Sequence, residues 1–591
     1  MAKSTQKEAT EKGRLLAQPG SVVVRMYRQG LGDCFLLAFG GSSPEHRETR
    51  YVLIDCGVHM RQDDGHERLA AVLSNLWQAT GGQLDVVVAT HEHADHLSGF
   101  VQKGSPFLQQ QFAIIQLWLA WTEKRGDGLA DKLRERRGTA RKIIERAVET
   151  ATHAAAIAVA GQQQGLQALA HQLKANIEFE RTSDEADNEA ALHLIQDADE
   201  DRLRARGLMR LIGGHYSPSA SSGELRAAEK SSDKPSSNEL ALGLLQAQAE
   251  HVNYCRPGDL LKIEGIADVR VHVLGPPHDE TKLKKDLPSV IRGAREGGDH
   301  YKETYLSTAS QSLSFGLSPA LGADLVDRTR YPDDLRNPFD STRRRPLDFS
   351  FPEDNQFDNM SAATRQLLDA RYYKADLGWR RIDADWLSAS ADLALNLDSD
   401  TNNTSLVLAF EWKDRVLLFA ADAQVGNWLS WRDQDYKDER GKATVPVEDL
   451  LARTLLYKVG HHGSHNATLK RDPNKVTRAF PLGVPYGLEL MRDIVALIPV
   501  DRHSVEKSMP NPWEMPHQPL YESLREKAQR RVLRSDAKPN VRPLPSSSPP
   551  DVTPQSTKLQ AIPDLPGGKW RRSEETLSGP DDPLFYEIVF T

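Results

Sequence analysis

Histidine and carboxylate side chains are concentrated in the segment THEHADH at 90–96, which holds three imidazoles and two carboxylates within six residues. Imidazole nitrogens and carboxylate oxygens are ligand atoms that suit Zn²⁺. On a tight turn after a strand, such side chains can converge on one point. His91 and His93 can serve one ion, and Asp95 with His96 can serve a second. The segment therefore predicts a metal site.

Two further segments place ligand-type residues directly after a short apolar run. Asp422 follows the run 416–421, and HHGSH at 461–465 follows the run 455–459. Alone, Asp422 is more typical of a turn or a helix cap, and an isolated His-His pair is more typical of a structural role. Together with residues 90–96 they form three strand ends with ligand chemistry, which is what a metal site on the rim of a sheet requires.

The elements that must position these residues are short strands and one helix. Val86–Ala89 is a buried-strand run directly before the first motif, and the segment 66–79 has the apolar spacing of a helix. Apolar β-type runs also occur at 21–39, at 51–54 and in a predicted hairpin at 405–421. Strand, helix and strand in this order imply a layered α/β unit.

The three motifs resemble the metal motifs of the metallo-β-lactamase fold: THEHADH, then FAADA at 419–423, then VGHHGSH at 459–465. The HHGS form of the last motif is most similar to the hydrolase domain of the DNA-uptake protein ComEC. Three more segments share this similarity, namely QGLGDCFLL at 29–37, LIDCG at 53–57 and NNTSLVL at 402–408. The resemblance implies an α/β fold, a four-layer αββα sandwich, with a large, mainly helical and loop-rich insertion.

The resemblance covers residues 21–100 and 402–536, so the two parts must fold together around an insertion. The expected order along the chain is a flexible N-terminus at 1–20, the first part of the hydrolase domain at 21–101, an insertion that serves as a lid or docking region at 102–401, the second part of the domain at 402–537, a Pro/Ser-rich linker at 538–568 and a C-terminal strand segment at 569–591.

Carried over to this sequence, the resemblance implies a set of metal ligands. His91 and His93 would bind one metal, Asp95 and His96 would bind the other, and Asp422 would bridge both. Asp95 would also orient the attacking hydroxide. The expected cofactor is Zn²⁺, as one or two ions, with Mn²⁺ as the alternative.

One of the two adjacent histidines would complete the second metal site. We favour His462 as the ligand and His461 as a catalytic residue that faces the substrate. Many members of the fold have a third histidine before the strand of the bridging aspartate, where this chain has Asn402 and Asn403. That departure weakens the first metal site.

Other polar residues are candidates for contact with the substrate or for support of the ligands. Ser464 and His465 can donate hydrogen bonds to a substrate oxygen, and a tight turn with a capping role is an equally good interpretation. Asp33 and Asp55 follow apolar runs or turns near the expected rim. For these two, support of the ligand loop by hydrogen bonds is favoured over direct coordination.

The composition narrows the partners and the compartment. Lys and Arg total 75 against 83 Asp and Glu, and the formal charge of −8 argues against a protein that coats nucleic acid. Residues 1–20 lack the apolar core of a signal peptide, and no run approaches the length of a membrane helix. Three cysteines without short paired spacing fit a reducing compartment. We expect a cytoplasmic protein without membrane contact.

A metal-activated water is the expected nucleophile, because a bound metal lowers the pKa of water to about 7 and stabilises charge on a phosphoryl or carbonyl oxygen. The first hypothesis is a phosphodiesterase or nuclease acting on a nucleotide or nucleic acid, and the acidic charge favours a small phosphoester over long DNA. The second is hydrolysis of a carboxylic ester, thioester or lactam. The third is a protein-interaction effector whose 102–401 insertion binds a protein partner.

Overall fold

The computed structural model describes most of the chain apart from several gaps. The described residues are 13–41, 48–59, 62, 64–157, 185–206, 208, 235–286, 397–434, 436, 445–502, 515–537, 549–579 and 581–591. Most of the predicted flexible N-terminus, parts of the predicted insertion and the first part of the predicted linker lie outside these residues.

Eighteen strands occur in the described residues. In chain order they are β1 (Val22–Tyr27), β2 (Cys34–Phe39), β3 (Arg50–Cys56), β4 (Gln83–Ala89), β5 (Ala113–Ala120), β6 (His251–Cys255), β7 (Leu260–Leu261), β8 (Val269–Gly275), β9 (Val407–Trp412), β10 (Arg415–Phe419), β11 (Thr454–Lys458), β12 (Arg471–Asp472), β13 (Val484–Pro485), β14 (Val495–Ile498), β15 (Val532–Arg534), β16 (Gln560–Ala561), β17 (Gly568–Arg572) and β18 (Phe585–Phe590).

Two large mixed sheets contain all of these strands except the small pair β12-β13. The first sheet has nine strands in the order β16-β17-β18-β1-β2-β3-β4-β5-β6, and the second has seven in the order β15-β14-β11-β10-β9-β8-β7. Strands β3 to β6 are parallel to one another, and so are β10, β11, β14 and β15. Strands β9 and β10 pair antiparallel, which confirms the predicted hairpin.

Ten α-helices accompany the sheets in the described residues. They are α1 (Gly65–Thr80), α2 (Ala94–Val101), α3 (Gly128–Ile157), α4 (Glu185–Gln196), α5 (Glu200–Ala205), α6 (Ser237–Gln248), α7 (Glu280–Leu283), α8 (Val425–Ser430), α9 (Val447–Ala452) and α10 (Gln518–Lys527). A further helical turn covers 397–402. Helix α1 forms where predicted, because Leu69, Leu73 and Leu76 recur on one buried face.

The hydrophobic core has three principal clusters. One lies between the sheets, where inward side chains of β1 to β5 meet those of β8 to β11; Phe35 contacts Phe419 edge-to-face, with ring centroids 5.5 Å apart. A second packs the other face of the first sheet against α1, α2 and α6. A third packs the other face of the second sheet against α8, α9 and α10. Strands that are apolar on both faces, such as β4, follow from burial on both sides.

The interval 102–401 differs from the predicted helical and loop-rich insertion. It supplies β5 and β6 to the first sheet and β7 and β8 to the second. The expectation is corrected for these strands because their apolar residues complete the two sheets, for example Leu117 and Val271 in the core. Within the predicted linker 538–568, the described residues include β16, which pairs with β17.

The chain divides into two compact units. One comprises Met1–Arg134, Glu178–Ala309 and Asp398–Thr591, and it contains both large sheets. The other comprises Glu135–Ile177 and Ser310–Leu397, of which the structure describes 135–157 and residue 397. Within the described part of the chain, no helix has both the length and the hydropathy needed to cross a membrane.

Candidate metal centre

The loop after β4 carries the densest histidine motif and is held by Asp55 at the end of β3. Oδ1 of Asp55 accepts a hydrogen bond from the backbone N–H of Thr90 at 2.8 Å, and Oδ2 accepts one from the Thr90 hydroxyl at 2.7 Å. Asp55 is completely buried and has a φ of 54°. Its position therefore supports the ligand loop by hydrogen bonds, as the sequence predicts for this residue.

Two glycines allow the end of β3 and the turn before β2 to approach the start of α2. A Cβ atom on Gly57 would lie 2.3 Å from the carbonyl carbon of Asp95, and one on Gly32 would lie 2.6 Å from the Asp95 oxygen. The φ of Gly32 is 144°, which other residues rarely adopt. This close approach lets the backbone N–H of Asp33 donate to the Asp95 carbonyl at 3.0 Å. Close packing against the backbone of Asp95 therefore explains the glycines in the LGDC and DCG sequences.

His96 has one ring nitrogen occupied and the other directed at carboxylates. Nδ1 lies 2.8 Å from Oδ2 of Asp55. Nε2 lies 3.4 Å from Oδ2 of Asp422 and 3.7 Å from Oδ2 of Asp95. A carboxylate on Nδ1 orients the ring and leaves Nε2 for an ion, which is the usual arrangement around metal-binding histidines.

His462 repeats this arrangement from the second sheet. Its Nδ1 donates to the carbonyl of Pro499 at 2.7 Å, while Nε2 lies 2.9 Å from Oδ2 of Asp95 and 3.4 Å from Oδ2 of Asp422. His461 and His462 have φ angles of 42° and 51°. This left-handed turn after β11 is costly for residues with a side chain, and it turns the buried His462 toward the two carboxylates.

Asp33, His96, Asp422 and His462 form a buried group whose ligand atoms all lie within 4.8 Å of one another. Among the described residues, no hydrogen-bond partner is found for two buried atoms of this group, Asp33 Oδ1 and His96 Nε2, or for Oδ1 of the neighbouring Asp95. Buried polar atoms in native proteins are almost always satisfied, by protein, water or an ion. The nitrogen and oxygen donors suit Zn²⁺ and also Mn²⁺. The group can therefore hold a metal ion.

His91 and His93, predicted as ligands of the first ion, lie beside this group and outside it. Nε2 of His91 is 3.1 Å from Nδ1 of His93, and the rings of His91 and His96 have centroids 4.1 Å apart. Oδ1 of Asp398, on the helical turn 397–402, lies 3.9 Å from Nε2 of His93. No sequence motif marks Asp398, because the turn that carries it has no ligand pattern.

The two asparagines that replace the expected third histidine have different environments. Asn402 Nδ2 lies 3.2 Å from Nε2 of His461 and donates to Asp398 at 3.2 Å. Asn403 is fully buried and donates to backbone carbonyls of residues 282–285, while its Oδ1 accepts from the N–H groups of Gln424 and Asn427. Asn403 is therefore engaged in joining loops, and Asn402 faces the histidines.

Ser464 and His465 follow the left-handed turn. The N–H of Ser464 donates to the His461 carbonyl at 2.9 Å, and its own carbonyl accepts from Ala467 at 3.0 Å. His465 has its ring centroid 6.3 Å from that of the buried His517, and burial lowers the pKa of His465 to about 4. For Ser464 these backbone bonds favour the turn interpretation over contact with a substrate.

A buried lysine that none of the three motifs includes lies under the group. Lys458 is the last residue of β11, and its Nζ lies 2.5 Å from Oδ2 of Asp33, 2.8 Å from the Ala421 carbonyl and 3.3 Å from Oδ1 of Asp422. One signal was available. Lys458 ends the apolar run of β11 directly before VGHHGSH, and a charged residue in a buried strand requires a partner.

The electrostatics of the group favour positive charge at two imidazoles. Burial alone would lower the pKa of His462, but Asp422 and Asp95 outweigh burial and raise it to about 10. The same balance raises the pKa of His96. Burial opposes ionisation of Asp422, yet His462, His96 and Lys458 hold its pKa well below the usual range. His93 behaves oppositely, since burial lowers its pKa to about 3.

Comparison with known proteins identifies one region of the chain. Residues 29–102 match the family model of the metallo-beta-lactamase superfamily, and the match does not single out the ComEC group. No curated protein and no solved structure matches the chain significantly. The matched range contains Asp33, Asp55 and the whole THEHADH motif. Residues 29–102 therefore carry a domain of the metallo-β-lactamase superfamily, whose members are mostly hydrolases.

Proposed function

We propose that this protein is a metal-dependent phosphodiesterase that acts on a nucleotide or a nucleic acid, with a hydrolase domain built as a four-layer αββα sandwich. The observation that carries the proposal is the buried group of two carboxylates and two imidazoles. Asp33 and His96 reach it from the first sheet, and Asp422 and His462 reach it from the second. A metal ion held by this group would supply an activated water, so hydrolysis at neutral pH needs no nucleophile from the protein.

In this proposal the predicted ligands hold one or two Zn²⁺ or Mn²⁺ ions. His96, His462 and Asp95 would hold one ion, His91 and His93 would hold the other, and Asp422 would serve both. A bound ion supplies an activated water and stabilises negative charge on phosphoryl oxygens. The short distances between His91, His93 and His96 support a second ion, although the third histidine is replaced by Asn402.

Asp95 would orient the attacking water, and His461 would contact the substrate. Asp95 has Oδ2 held by His462 at 2.9 Å, and Oδ1 has no hydrogen-bond partner among the described residues. Oδ1 is thus the atom that would orient the attacking water. His461 is half-buried, and burial lowers its pKa, so at neutral pH its imidazole is uncharged and can donate a hydrogen bond to a substrate oxygen.

The choice of a phosphodiester among the possible substrates follows from the number of ligands. Two ions about 3.5–4 Å apart stabilise both the attacking and the leaving oxygen of an in-line displacement, which is the arrangement of many phosphatases and nucleases. The net charge of −8 favours a nucleotide or a short phosphoester over a long polyanion. Cys34, Cys56 and Cys255 are free and buried, which supports a cytoplasmic setting.

The test compares three substrate classes on one preparation. Purified protein is incubated with Zn²⁺ or Mn²⁺ and with bis-p-nitrophenyl phosphate, a thioester and nitrocefin, and the metal content of the same sample is measured. We expect hydrolysis of the phosphodiester, its loss after chelation, and its return with added metal. Faster turnover of the thioester or nitrocefin would replace the proposal by the second hypothesis. If none of the three reacts and a protein co-purifies, the interaction effector is favoured.

A further inference from the structure

Lys458 is a fully charged side chain placed beneath the candidate metal centre, where its own side chain is 1% exposed. A lysine in such surroundings loses its hydration, and only partners of opposite charge or strong dipole make its burial tolerable. The three atoms around Nζ supply this: one carboxylate oxygen each from Asp33 and Asp422, and the carbonyl of Ala421. Lys458 is therefore part of the buried ion-pair network of the site.

These contacts connect the two large sheets at the site. Asp33 precedes β2 in the first sheet, Lys458 ends β11 in the second, and Ala421 and Asp422 form the turn after β10. Ala421 has a φ of 47°, so this turn is strained for a residue with a Cβ atom. The ammonium group holds the strained turn by its carbonyl and by the carboxylate that follows it.

The two oxygens of Asp422 are thereby given different surroundings. Oδ1 lies 3.3 Å from Nζ of Lys458. Oδ2 lies 3.4 Å from Nε2 of His96 and 3.4 Å from Nε2 of His462. The ammonium lies beside Oδ1 and draws it away from the imidazoles, whereas Oδ2 points at the imidazole nitrogens that would bind the same ion.

We propose that Lys458, paired with Asp33, is a positioning residue that restricts Asp422 to coordination through Oδ2 alone. The inference rests on the proposed function, because it concerns the same metal centre. Without the ammonium, Asp422 would be free to rotate and to bind one ion through both oxygens. Lys458 thus determines the coordination number of the metal without contacting the substrate.

The experiment separates this role from a purely structural one. Lys458→Met alone leaves the Asp33 carboxylate buried without its partner, so the variant Lys458→Met/Asp33→Asn removes both charges together. Lys569→Met, at an exposed lysine on β17, is the matched control. Each full-length protein is titrated with Co²⁺, whose visible absorption spectrum reports coordination number, and thermal unfolding is followed on the same samples.

We expect the double variant to unfold near the wild-type temperature but to bind Co²⁺ about 10- to 100-fold more weakly, with a changed spectrum. The control is expected to match the wild type in both measurements. Lys458→Gln is measured beside the double variant, because Asp33 belongs to the four-residue group and its removal by itself can weaken Co²⁺ binding. The neutral amide keeps one hydrogen bond and leaves Asp33 in place, and the same direction of change is expected. A double variant, or Lys458→Gln, with wild-type Co²⁺ affinity and spectrum would overturn the role of Lys458 alone. Wild-type protein that takes up no Co²⁺ would overturn the proposed function and this inference with it.

Discussion

Two clusters of buried charge in the described structure differ in whether both oxygens of their carboxylates are paired. In the Glu411 cluster, on β8 and β9, Oε2 of Glu411 accepts a hydrogen bond from His272 at 2.8 Å. Oε1 lies 3.0 Å from both Arg270 and Arg453. Both oxygens of this carboxylate are therefore paired with donors inside the protein.

The carboxylates of the candidate metal centre are equally buried, but in the described part of the chain not all of their oxygens are paired. Within the described residues, Oδ1 of Asp33, Oδ1 of Asp95 and Nε2 of His96 are buried without a hydrogen-bond partner. Each unsatisfied buried group costs about 1–3 kcal/mol, and more if it is charged. Burial and charge alone therefore do not identify a metal site. The unsatisfied ligand atoms that converge on one point are what separate a candidate metal centre from a structural ion-pair network.

The largest expected effect is at the carboxylate shared by both proposed ions. Asp422→Ala should lower phosphodiesterase activity by more than about 100-fold, which is the upper range for residues that only support a ligand, and it should reduce bound metal. Activity assays with metal analysis of the same sample check this. Retained activity with normal metal content would show that Asp422 is not a ligand.

The next effect is on stability. Lys458→Met leaves Asp33 buried without its ion-pair partner, and breaking a buried pair by removing one member costs about 3–5 kcal/mol. The free energy of unfolding, measured with denaturant, should fall by this amount, and the added change Asp33→Asn should recover most of it. An additive loss in the double variant would mean that the two residues do not act as a pair.

Glu411→Gln is the counterpart in the Glu411 cluster. The change removes the ion pairs to Arg270 and Arg453 but keeps an oxygen and the size of the side chain, so we expect a loss of about 1–3 kcal/mol in unfolding free energy. Bound metal and activity should be unchanged, because no atom of the Glu411 cluster belongs to the metal group. A loss of bound metal in this variant would contradict the claim that the Glu411 cluster is separate from the metal centre.

The smallest expected effect is the pH dependence of the stability difference between the wild type and Glu411→Gln. Burial opposes ionisation of Glu411, but hydrogen bonds from His272 and Arg453 outweigh it and hold the pKa at about 2, below the ordinary 4.5. A carboxyl whose pKa is lower in the folded state stabilises the fold above its unfolded pKa, and this contribution is lost as the pH falls toward 2. The gap in melting temperature between wild type and Glu411→Gln should therefore narrow from pH 7 to pH 3.5. A gap that widens on acidification would contradict the assignment.

Local patterns predicted much of what holds the centre in place. Helix α1, the hairpin β9-β10 and the strands before the three motifs form where apolar periodicity places them. Asp55 supports the ligand loop as expected. These features depend on residues close in sequence, so the repeat of apolar side chains and the turn residues that interrupt it contain the information.

Other features could not be predicted from the sequence because they depend on contacts between distant segments. The resemblance places the segments of β5 to β8 in an insertion, because a short apolar run does not reveal which sheet it joins. Support of the ligand loop is the role that the sequence favours for Asp33, and the structure places this residue in the four-residue group that could hold a metal ion. Asn403 stands where many members of the fold have a third histidine, and only the structure shows that it binds the loop at 282–285.

The sequence by itself indicated which segments carry metal-ligand chemistry, because three motifs place imidazoles and carboxylates directly after strands, and residues 29–102 match the model of the metallo-beta-lactamase superfamily. The tertiary structure alone decided which of these side chains meet. Asp33 and Lys458 lie on different sheets, and only the packing of those sheets brings a buried ammonium within 2.5 Å of a carboxylate. The reason is physical: periodicity specifies the buried face of each strand, whereas the partner across the core is chosen by shape and charge once the sheets pack.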